Sequence, residues 1–462
     1  MKTYDVLVVG SGPGGEKAAV QASKLGKTVA IIERSPYVGG AGLHTGTIPS
    51  KTLRETAIFL AAFKQRSVFG FQCTLGREVT LGELMYKKND VTRKQMEVVI
   101  DHFSRNNIDI LYGEASFVDE KTLLVNKVDG DSTRYSADVI IIATGTRPSR
   151  PDGIPFDKGS VYDSDTVLEI NKIPKTMTII GGGVIGCEYA CIFSCLGVKV
   201  TLIDKRHELL TFVDREIIDS LKYWMRHSGI TLRLGEEVES IEVENPARAV
   251  TRLKSGKVVV SEKVLYTMGR VGNTHALNVE AIGIETDKRG LIKVDESYLT
   301  ASENIYAVGD VIGFPSLAST SREQGRRAIC NAFNAEGMTC DVAAGLPFGI
   351  YTIPEISMIG KTEEELTEDG VPYESGTALF QEVARGQISG DVSGMLKLLF
   401  HRETRALLGV HIICEKASEL VHIGQAVMSF GGTIDYFKDA VFNYPTLTDA
   451  YKQAAHNGIN KL

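Results

Sequence analysis

The chain has 462 residues, 43% of them hydrophobic and 24% charged, an ordinary globular balance with length for about three domains of roughly 150 residues. Its 51 basic and 58 acidic residues leave a net charge of −7, which gives no electrostatic reason to expect nucleic acid or an anionic membrane as a partner. The apolar run before Gly10 is too short for a signal-peptide core, and no apolar stretch approaches the roughly 18 residues that span a bilayer. A cytoplasmic location is therefore the expectation.

In chain order, Asp5–Val9 reads as a strand, Gly10-Ser-Gly-Pro-Gly-Gly15 as a tight turn, and the residues to Lys24 as a helix. A second strand, Thr28–Ile32, ends at Glu33, with Arg34 next. This is the dinucleotide fingerprint in its proper setting. Gly10 permits the turn, Gly12 lets the backbone approach a pyrophosphate, and Gly15 lets the helix pack on the strand. Gly14 lies on the same turn, the helix N-terminus offers its N–H groups to phosphate, and Glu33 is placed to bind a ribose.

The device recurs. Met177–Ile180 reads as a strand, followed by Gly181-Gly-Gly-Val-Ile-Gly186, a helix, and the strand Lys199–Ile203 ending at Asp204. Gly181, Gly183 and Gly186 repeat the roles of Gly10, Gly12 and Gly15. The spacing from first glycine to acid is 23 residues in both. Two such sites imply one held and one exchangeable dinucleotide. Lys205 and Arg206 follow Asp204 directly: the acid suits the free 2′-hydroxyl of NAD, the two cations a 2′-phosphate. Of the seven cysteines, Cys187, Cys191 and Cys195 share the helix after the second turn, and Cys73, Cys330, Cys340 and Cys414 are scattered. The odd number and spacing argue against a disulfide framework, and buried structural thiols are the reading. Glu83–Asn107 reads as a mixed-charge helix, and Trp224 as a core residue beside Leu221 and Met225.

Between the first fingerprint and that helix lies Gly39-Gly-Ala-Gly-Leu-His-Thr-Gly-Thr-Ile-Pro-Ser-Lys51. It resembles the redox-active loop of the flavin-dependent pyridine nucleotide–disulfide oxidoreductases, whose frame is Gly-Gly-Thr-Cys, four residues, then Cys-Ile-Pro-Ser-Lys. Gly39 and Gly40 stand, but Gly42 and Thr47 occupy the cysteine positions. A disulfide needs two sulfurs about 2.05 Å apart, so this loop carries none. The resemblance extends over essentially the whole chain, through Gly113-Glu-Ala115, Ala143-Thr144-Gly145, Thr300–Asp310, Tyr266–Arg270 and Thr352–Glu363.

That resemblance implies an α/β fold with two Rossmann-like dinucleotide-binding domains and a C-terminal α+β dimerisation domain. The expected division is FAD binding over 1–147 and 270–345, NAD(P) binding over 148–269, and dimerisation over 346–462, in a homodimer or a larger homo-oligomer. It implies that Ala115, Thr144, Gly145 and Asp310 meet tightly bound FAD, with Asp310 at the ribityl chain, and that Gly269 lies where the chain leaves the NAD(P) domain. It also implies that Lys51 sits by the flavin and pairs with Glu188. The family's C-terminal His…Glu pair reads here as Tyr444 and Asp449, and tyrosine, with an ordinary pKa of about 10, is a poor proton shuttle at neutral pH.

With both thiols and the base absent, disulfide substrates are not expected. A flavin and one nicotinamide site suffice to move a hydride between NADPH and NAD+. His44–Lys51, Gly349–Glu355 and Phe442–Thr446 resemble the family's transhydrogenase branch, although that branch keeps a cysteine where this chain has Gly42. The resemblance implies an FAD-dependent NAD(P) transhydrogenase of the Si-specific type, working by ping-pong. The alternatives are an NAD(P)H dehydrogenase of quinone or diaphorase type, and a flavoprotein that only binds nucleotides.

Overall fold

A computed structural model describes residues 2–62, 80–157, 159–335 and 345–462; Cys73 and Cys340 lie outside them. The apolar run before Gly10 forms an eight-residue strand, Lys2–Val9 (β1), longer at its start than its apolar part. It lies between Val29–Glu33 (β2) and Ser132–Ile142 (β6), parallel to both. Asp109–Tyr112 (β3) extends the sheet beyond β2, and Glu114–Asp119 (β4) and Thr122–Asn126 (β5) join antiparallel on the other side. Ile305–Ala307 (β17) also pairs with β6, from a segment far along the chain. Strand periodicity sends Val6 and Val8 to one core and Leu7 and Val9 to another. A sheet covered on both faces needs such a continuous apolar run. Helices Pro13–Lys24 (α1) and Ala318–Ala332 (α7) cross on one face, so closely that a Cβ on Gly325 would stand 2.1 Å from the Gly14 carbonyl oxygen.

The chain enters and leaves a second unit through an antiparallel pair, Thr146–Pro148 (β7) with Arg270–Gly272 (β16). Within it, Thr231–Leu234 (β11), Lys199–Asp204 (β10), Thr176–Ile180 (β9), Lys263–Tyr266 (β15) and Val161–Asp163 (β8) form a parallel sheet in that order. Val184–Cys195 (α5) and Arg215–His227 (α6) accompany it. Val238–Asn245 (β12), Arg248–Leu253 (β13) and Val258–Ser261 (β14) make a small antiparallel meander. On α6, Ile217, Ile218, Leu221 and Met225 are buried. Trp224 is not in that core: it is half-buried, edge-on to Tyr223 and His227. Cys187 and Cys191 are buried, and burial pushes the Cys191 thiol up to about 12.

The C-terminal part is a five-stranded antiparallel sheet of Phe348–Ile350 (β18), Glu355–Gly360 (β19), Leu407–Cys414 (β22), Met395–His401 (β21) and Tyr373–Leu379 (β20). Helices Glu363–Glu368 (α8), Ala384–Ser389 (α9), Ala417–Ser429 (α10), Asp435–Asp439 (α11) and Asp449–Ile459 (α12) surround it. The stretch Gly39–Lys51 is mostly helical: Gly40–His44 (α2), then the start of Thr47–Ala62 (α3). The mixed-charge helix is Leu81–Arg105 (α4), opened by a capping box of Thr80 and Glu83. No helix among the described residues is long and apolar enough to cross a membrane.

Candidate active site

The two glycine-rich turns match bond for bond. Gly10 N–H donates to Ile32 O and Gly181 N–H to Ile203 O, both at 2.8 Å. Ala143 N–H donates to Val9 O and Thr267 N–H to Ile180 O, again both at 2.8 Å. Gly10 and Gly181 have φ of 103° and 108°, a conformation that glycine alone adopts freely. A Cβ on Gly15 would lie 1.9 Å from Gly10 O, and one on Gly186 1.8 Å from Gly181 O. At Gly15 and Gly186 the helix start packs too closely on its own turn for any side chain.

The acids that close the two turns are engaged differently. Glu33 accepts from Ser11 N–H at 3.0 Å, Ser11 Oγ at 2.5 Å and Ser35 N–H at 2.9 Å. Ser11 Oγ in turn accepts from Gly39 N–H at 2.9 Å, tying the opening of the loop to the first turn. Asp204 accepts from Gly182 N–H at 2.5 Å and from Arg206 three times, through N–H, Nε and Nη2 at 2.7, 3.1 and 2.8 Å. Burial acts to raise the Asp204 carboxyl, but the Arg206 guanidinium and the two N–H groups outweigh it and hold it below the usual range. The Arg206 guanidinium, placed by sequence to meet a 2′-phosphate, is thus clipped onto Asp204. Lys205 is exposed.

Both turns open on one cavity of about 1070 Å³. From the first turn and its acid come Gly10, Gly12, Gly14, Glu33 and Arg34; from the loop, Gly40, Gly42, Thr47 and Lys51. Ala115, Thr144, Gly145 and Asp310 complete that side, and Gly183, Glu188 and Gly269 line it from the second unit. Gly15, Gly39, Gly181, Gly186, Asp204, Lys205 and Arg206 are not part of its lining. The last three stand at the end of β10, beside the second turn rather than in the cavity.

The lining fits an extended polyanion. Helices α1 and α5 both begin at glycine caps, Gly12 and Gly183, with no side-chain cap on their first N–H groups, so each presents donors and a positive dipole end. A Cβ on Gly12 would meet nothing closer than 4.0 Å, and one on Gly183 nothing within 4 Å. Thr144 Oγ1 is buried without a partner among the described residues while Thr144 lines the cavity, leaving a polar group for a ligand to satisfy.

Lys51, in the second turn of α3, donates from Nζ to Glu188 Oε2 at 2.7 Å. The other Glu188 oxygen accepts from Tyr351 N–H at 2.9 Å. Lys51 Nζ also stands 4.9 Å from the centre of the Tyr351 ring. Glu188 is buried and the Lys51 side chain one-quarter exposed, so the cation faces the cavity with its direction fixed. At Gly42 a Cβ would lie 3.1 Å from Pro13 Cγ, a tight contact with the first turn. Burial pushes the Asp310 carboxyl up, against opposition from Arg270 and Thr146. Thr146 Oγ1 donates to it at 3.2 Å and accepts from Arg270 Nε at 2.7 Å.

Sequence reasoning missed Tyr351 and the Arg270–Thr146 link as parts of this site. Both lie far along the chain from what they touch and belong to no local spacing. Tyr444 is 75% exposed, and Asp449 accepts from Gln453 at the start of α12; neither lines the cavity.

The pyridine nucleotide–disulphide oxidoreductase profile matches residues 4–325, and that family's dimerisation-domain profile matches residues 346–455. A soluble pyridine nucleotide transhydrogenase of Mycobacterium tuberculosis is 48% identical, over 100% of this chain and 98% of its own. One of Colwellia psychrerythraea is 46% identical, over 99% and 98%. Among solved structures, the Cu(II) complex of the HOCl-induced flavoprotein disulfide reductase RclA from Escherichia coli aligns with a TM-score of 0.88 at 27% identity, covering 99% of both chains. LpdA from Mycobacterium tuberculosis aligns at 0.90 with 22% identity, covering 99% of both chains, and shares the fold.

Proposed function

The chain belongs to the pyridine nucleotide–disulphide oxidoreductase family, and on that premise we propose that it is an FAD-dependent NAD(P) transhydrogenase, moving a hydride between NADPH and NAD+. The observation that carries this reading is an oriented Lys51–Glu188 pair, its acid buried, on a cavity shared by two dinucleotide turns, with Gly42 and Thr47 where a dithiol would stand. Bound FAD supplies the two-electron chemistry. Gly10, Gly12, Gly14, Glu33, Arg34 and Ala115 would hold its adenosine diphosphate half, and Gly40, Gly42, Thr47, Thr144, Gly145 and Asp310 the rest. Gly15 and Gly39 shape the turn and loop. Lys51 places positive charge where negative charge develops, which lowers the barrier most when the cation is already oriented; Glu188 orients it.

The nicotinamide dinucleotides use Gly183 and the N-terminus of α5 for phosphate, with Gly181 and Gly186 shaping that turn and Gly269 at its edge. Asp204, Lys205 and Arg206 select at the 2′-position. There is one such turn for two substrates, so NADPH and NAD+ occupy it in succession, a ping-pong order. Si-specific stereochemistry, a homodimer built through residues 346–462, FAD binding by 1–147 with 270–345 and NAD(P) binding by 148–269, and a cytoplasmic location complete the reading.

The experiment is anaerobic mixing of NADPH with thionicotinamide-NAD. Rapid formation of reduced thionicotinamide-NAD is the expected result. Bleaching of the flavin without transfer would favour an NAD(P)H dehydrogenase with another acceptor. No bleaching would reject the reading. NADPH deuterated on one face of C4 tests the stereochemistry.

A further inference from the structure

Helix α3 carries two cations one turn apart, Lys51 and Arg54, and each meets a buried acid. Lys51 pairs with Glu188 at 2.7 Å. Arg54, with 3% of its side chain exposed, has Nη2 3.8 Å from Glu355 Oε2 of β19, whose own side chain is 6% exposed. That Nη2 has no hydrogen-bond partner among the described residues. Nε donates to Thr352 O at 2.9 Å and Nη1 to Glu55 at 2.7 Å. The segment 351–355 lies between the two pairs: Tyr351 N–H holds Glu188, Thr352 O holds Arg54, and Glu355 ends it. Hydride exchange between two nicotinamides has no net proton, so the transhydrogenase reaction leaves Glu355 without a task.

We propose that Glu355 is a positioning residue that takes up and releases a solvent proton, and through Arg54 and residues 351–355 adjusts the Lys51–Glu188 pair and the electrostatic field on bound FAD. This rests on reading the cavity as the hydride-transfer site. When ionised, Glu355 draws the unpartnered Nη2 across its gap; when protonated, it leaves Arg54 to Thr352 O and Glu55. Thr352 adjoins Tyr351, so the change reaches Glu188 through one peptide unit. The proton comes from solvent and returns there; no bond other than O–H forms or breaks.

The surroundings favour titration in the physiological range. Burial pushes the Glu355 carboxyl up to about 7, opposed by Arg54 on α3, Ser418 N–H at the start of α10, and Lys416 just before it. Tyr351, near Glu355, Glu188 and Glu419, has its hydroxyl pushed up chiefly by burial. Cys414 of β22, opposite Glu355 in the sheet, has its thiol pushed well up by burial. Placing more negative charge beside Lys51 raises the proton affinity of a nearby buried acid, so reduction and proton uptake are linked.

The test uses the FAD-loaded protein. The midpoint potential of bound FAD is followed by spectroelectrochemistry between pH 6 and 8, in wild type, Glu355→Gln and Glu355→Asp. A break in the potential–pH slope near neutrality in wild type, displaced in Glu355→Asp and absent in Glu355→Gln, is expected. The same break in Glu355→Gln as in wild type overturns the proposal. Infrared difference spectra of wild type labelled with 13C-glutamate keep the question decidable if a variant loses FAD. A protonated carboxylic acid gained on reduction at neutral pH is expected, and none at any pH overturns it. If wild type moves hydride to thionicotinamide-NAD and shows no such break, this inference alone fails. If wild type moves no hydride, the functional reading fails first.

Discussion

At the scale of residues, the pair to perturb is Lys51–Glu188. Lys51→Ala leaves Glu188 buried with Tyr351 N–H as its remaining donor among the described residues. Breaking a fully buried pair costs about 3–5 kcal/mol, and the one-quarter exposure of Lys51 reduces the expectation to about 1–3 kcal/mol. Adding Glu188→Gln should recover much of that loss, because no unpaired charge then remains. Urea unfolding of the single and double variants measures both numbers, and a double variant no more stable than Lys51→Ala would show that the two do not act as a unit. Arg206 gives a second prediction. A charged hydrogen bond is worth roughly 1.5–3 kcal/mol, and about 1.4 kcal/mol is tenfold. Arg206→Ala should therefore slow flavin reduction by low concentrations of NADPH by about ten- to a hundredfold. It should leave NADH at least as effective, because the substitution also uncovers Asp204, which Arg206 now occupies. Stopped-flow traces at fixed salt decide: equal losses with both nucleotides would make Arg206 a support for the second turn and not a selector.

At the scale of elements, what the sequence disclosed was local. The turns Gly10–Gly15 and Gly181–Gly186 were legible because strand, turn, helix and acid follow in unbroken order, with 23 residues from first glycine to acid, and each repeats the same hydrogen bonds. The Lys51–Glu188 pair, 137 residues apart, was reached through resemblance and not through any spacing. Arg54 with Thr352 is 298 residues apart and was not seen at all. Trp224 was misplaced because helical periodicity names a face and not its width: the buried stripe of α6 takes Leu221 and Met225 and leaves Trp224 at its edge. The same blindness hid Lys397. Its side chain, on β21, is fully buried and touches Asp214 at 3.0 Å and Glu216 at 2.7 Å at the start of α6, and Glu363 at the start of α8. Burial acts to lower its pKa, but the three carboxylates outweigh that and hold it above the ordinary lysine value. A folded pKa above the unfolded one contributes stability that is present below the unfolded lysine value, about 10.4, and is lost as pH rises through the folded value. Lys397→Met should cost about 3–5 kcal/mol at neutral pH by leaving acids unpaired, and the variant should lose less stability than wild type when pH is raised past 10.4. Calorimetry across that range checks both, and parallel curves would mean that this cluster does not link the second unit to the C-terminal sheet.

At the scale of the molecule, the C-terminal part leaves apolar surface uncovered. Phe430 is 91% exposed, Val441 94% and Tyr444 75%, with Tyr436 at 51%, all between the end of α10 and the start of α12. Single exposed apolar side chains are ordinary, but several large ones from one short segment mark a surface meant for a partner. The dimerisation-domain profile covers this segment, and a second copy of the chain is the partner it fits. Stable interfaces bury about 1,200–2,000 Å² and obligate ones more, with aromatic residues enriched at the centre. Introducing a charge there leaves it without a counter-charge in a dry environment, a cost of several kcal/mol, and a symmetric interface carries it twice. Val441→Glu combined with Phe430→Asp should therefore shift the protein from dimer to monomer at micromolar concentration. Size-exclusion chromatography with light scattering reads the mass directly against the 50.3 kDa of one chain. Neither position lines the cavity, so the variant should still take up FAD, and its absorbance distinguishes a folded monomer from an unfolded chain. A yellow dimer would place the subunit contact elsewhere on the molecule, and a colourless aggregate would show that these side chains serve the fold of their own chain.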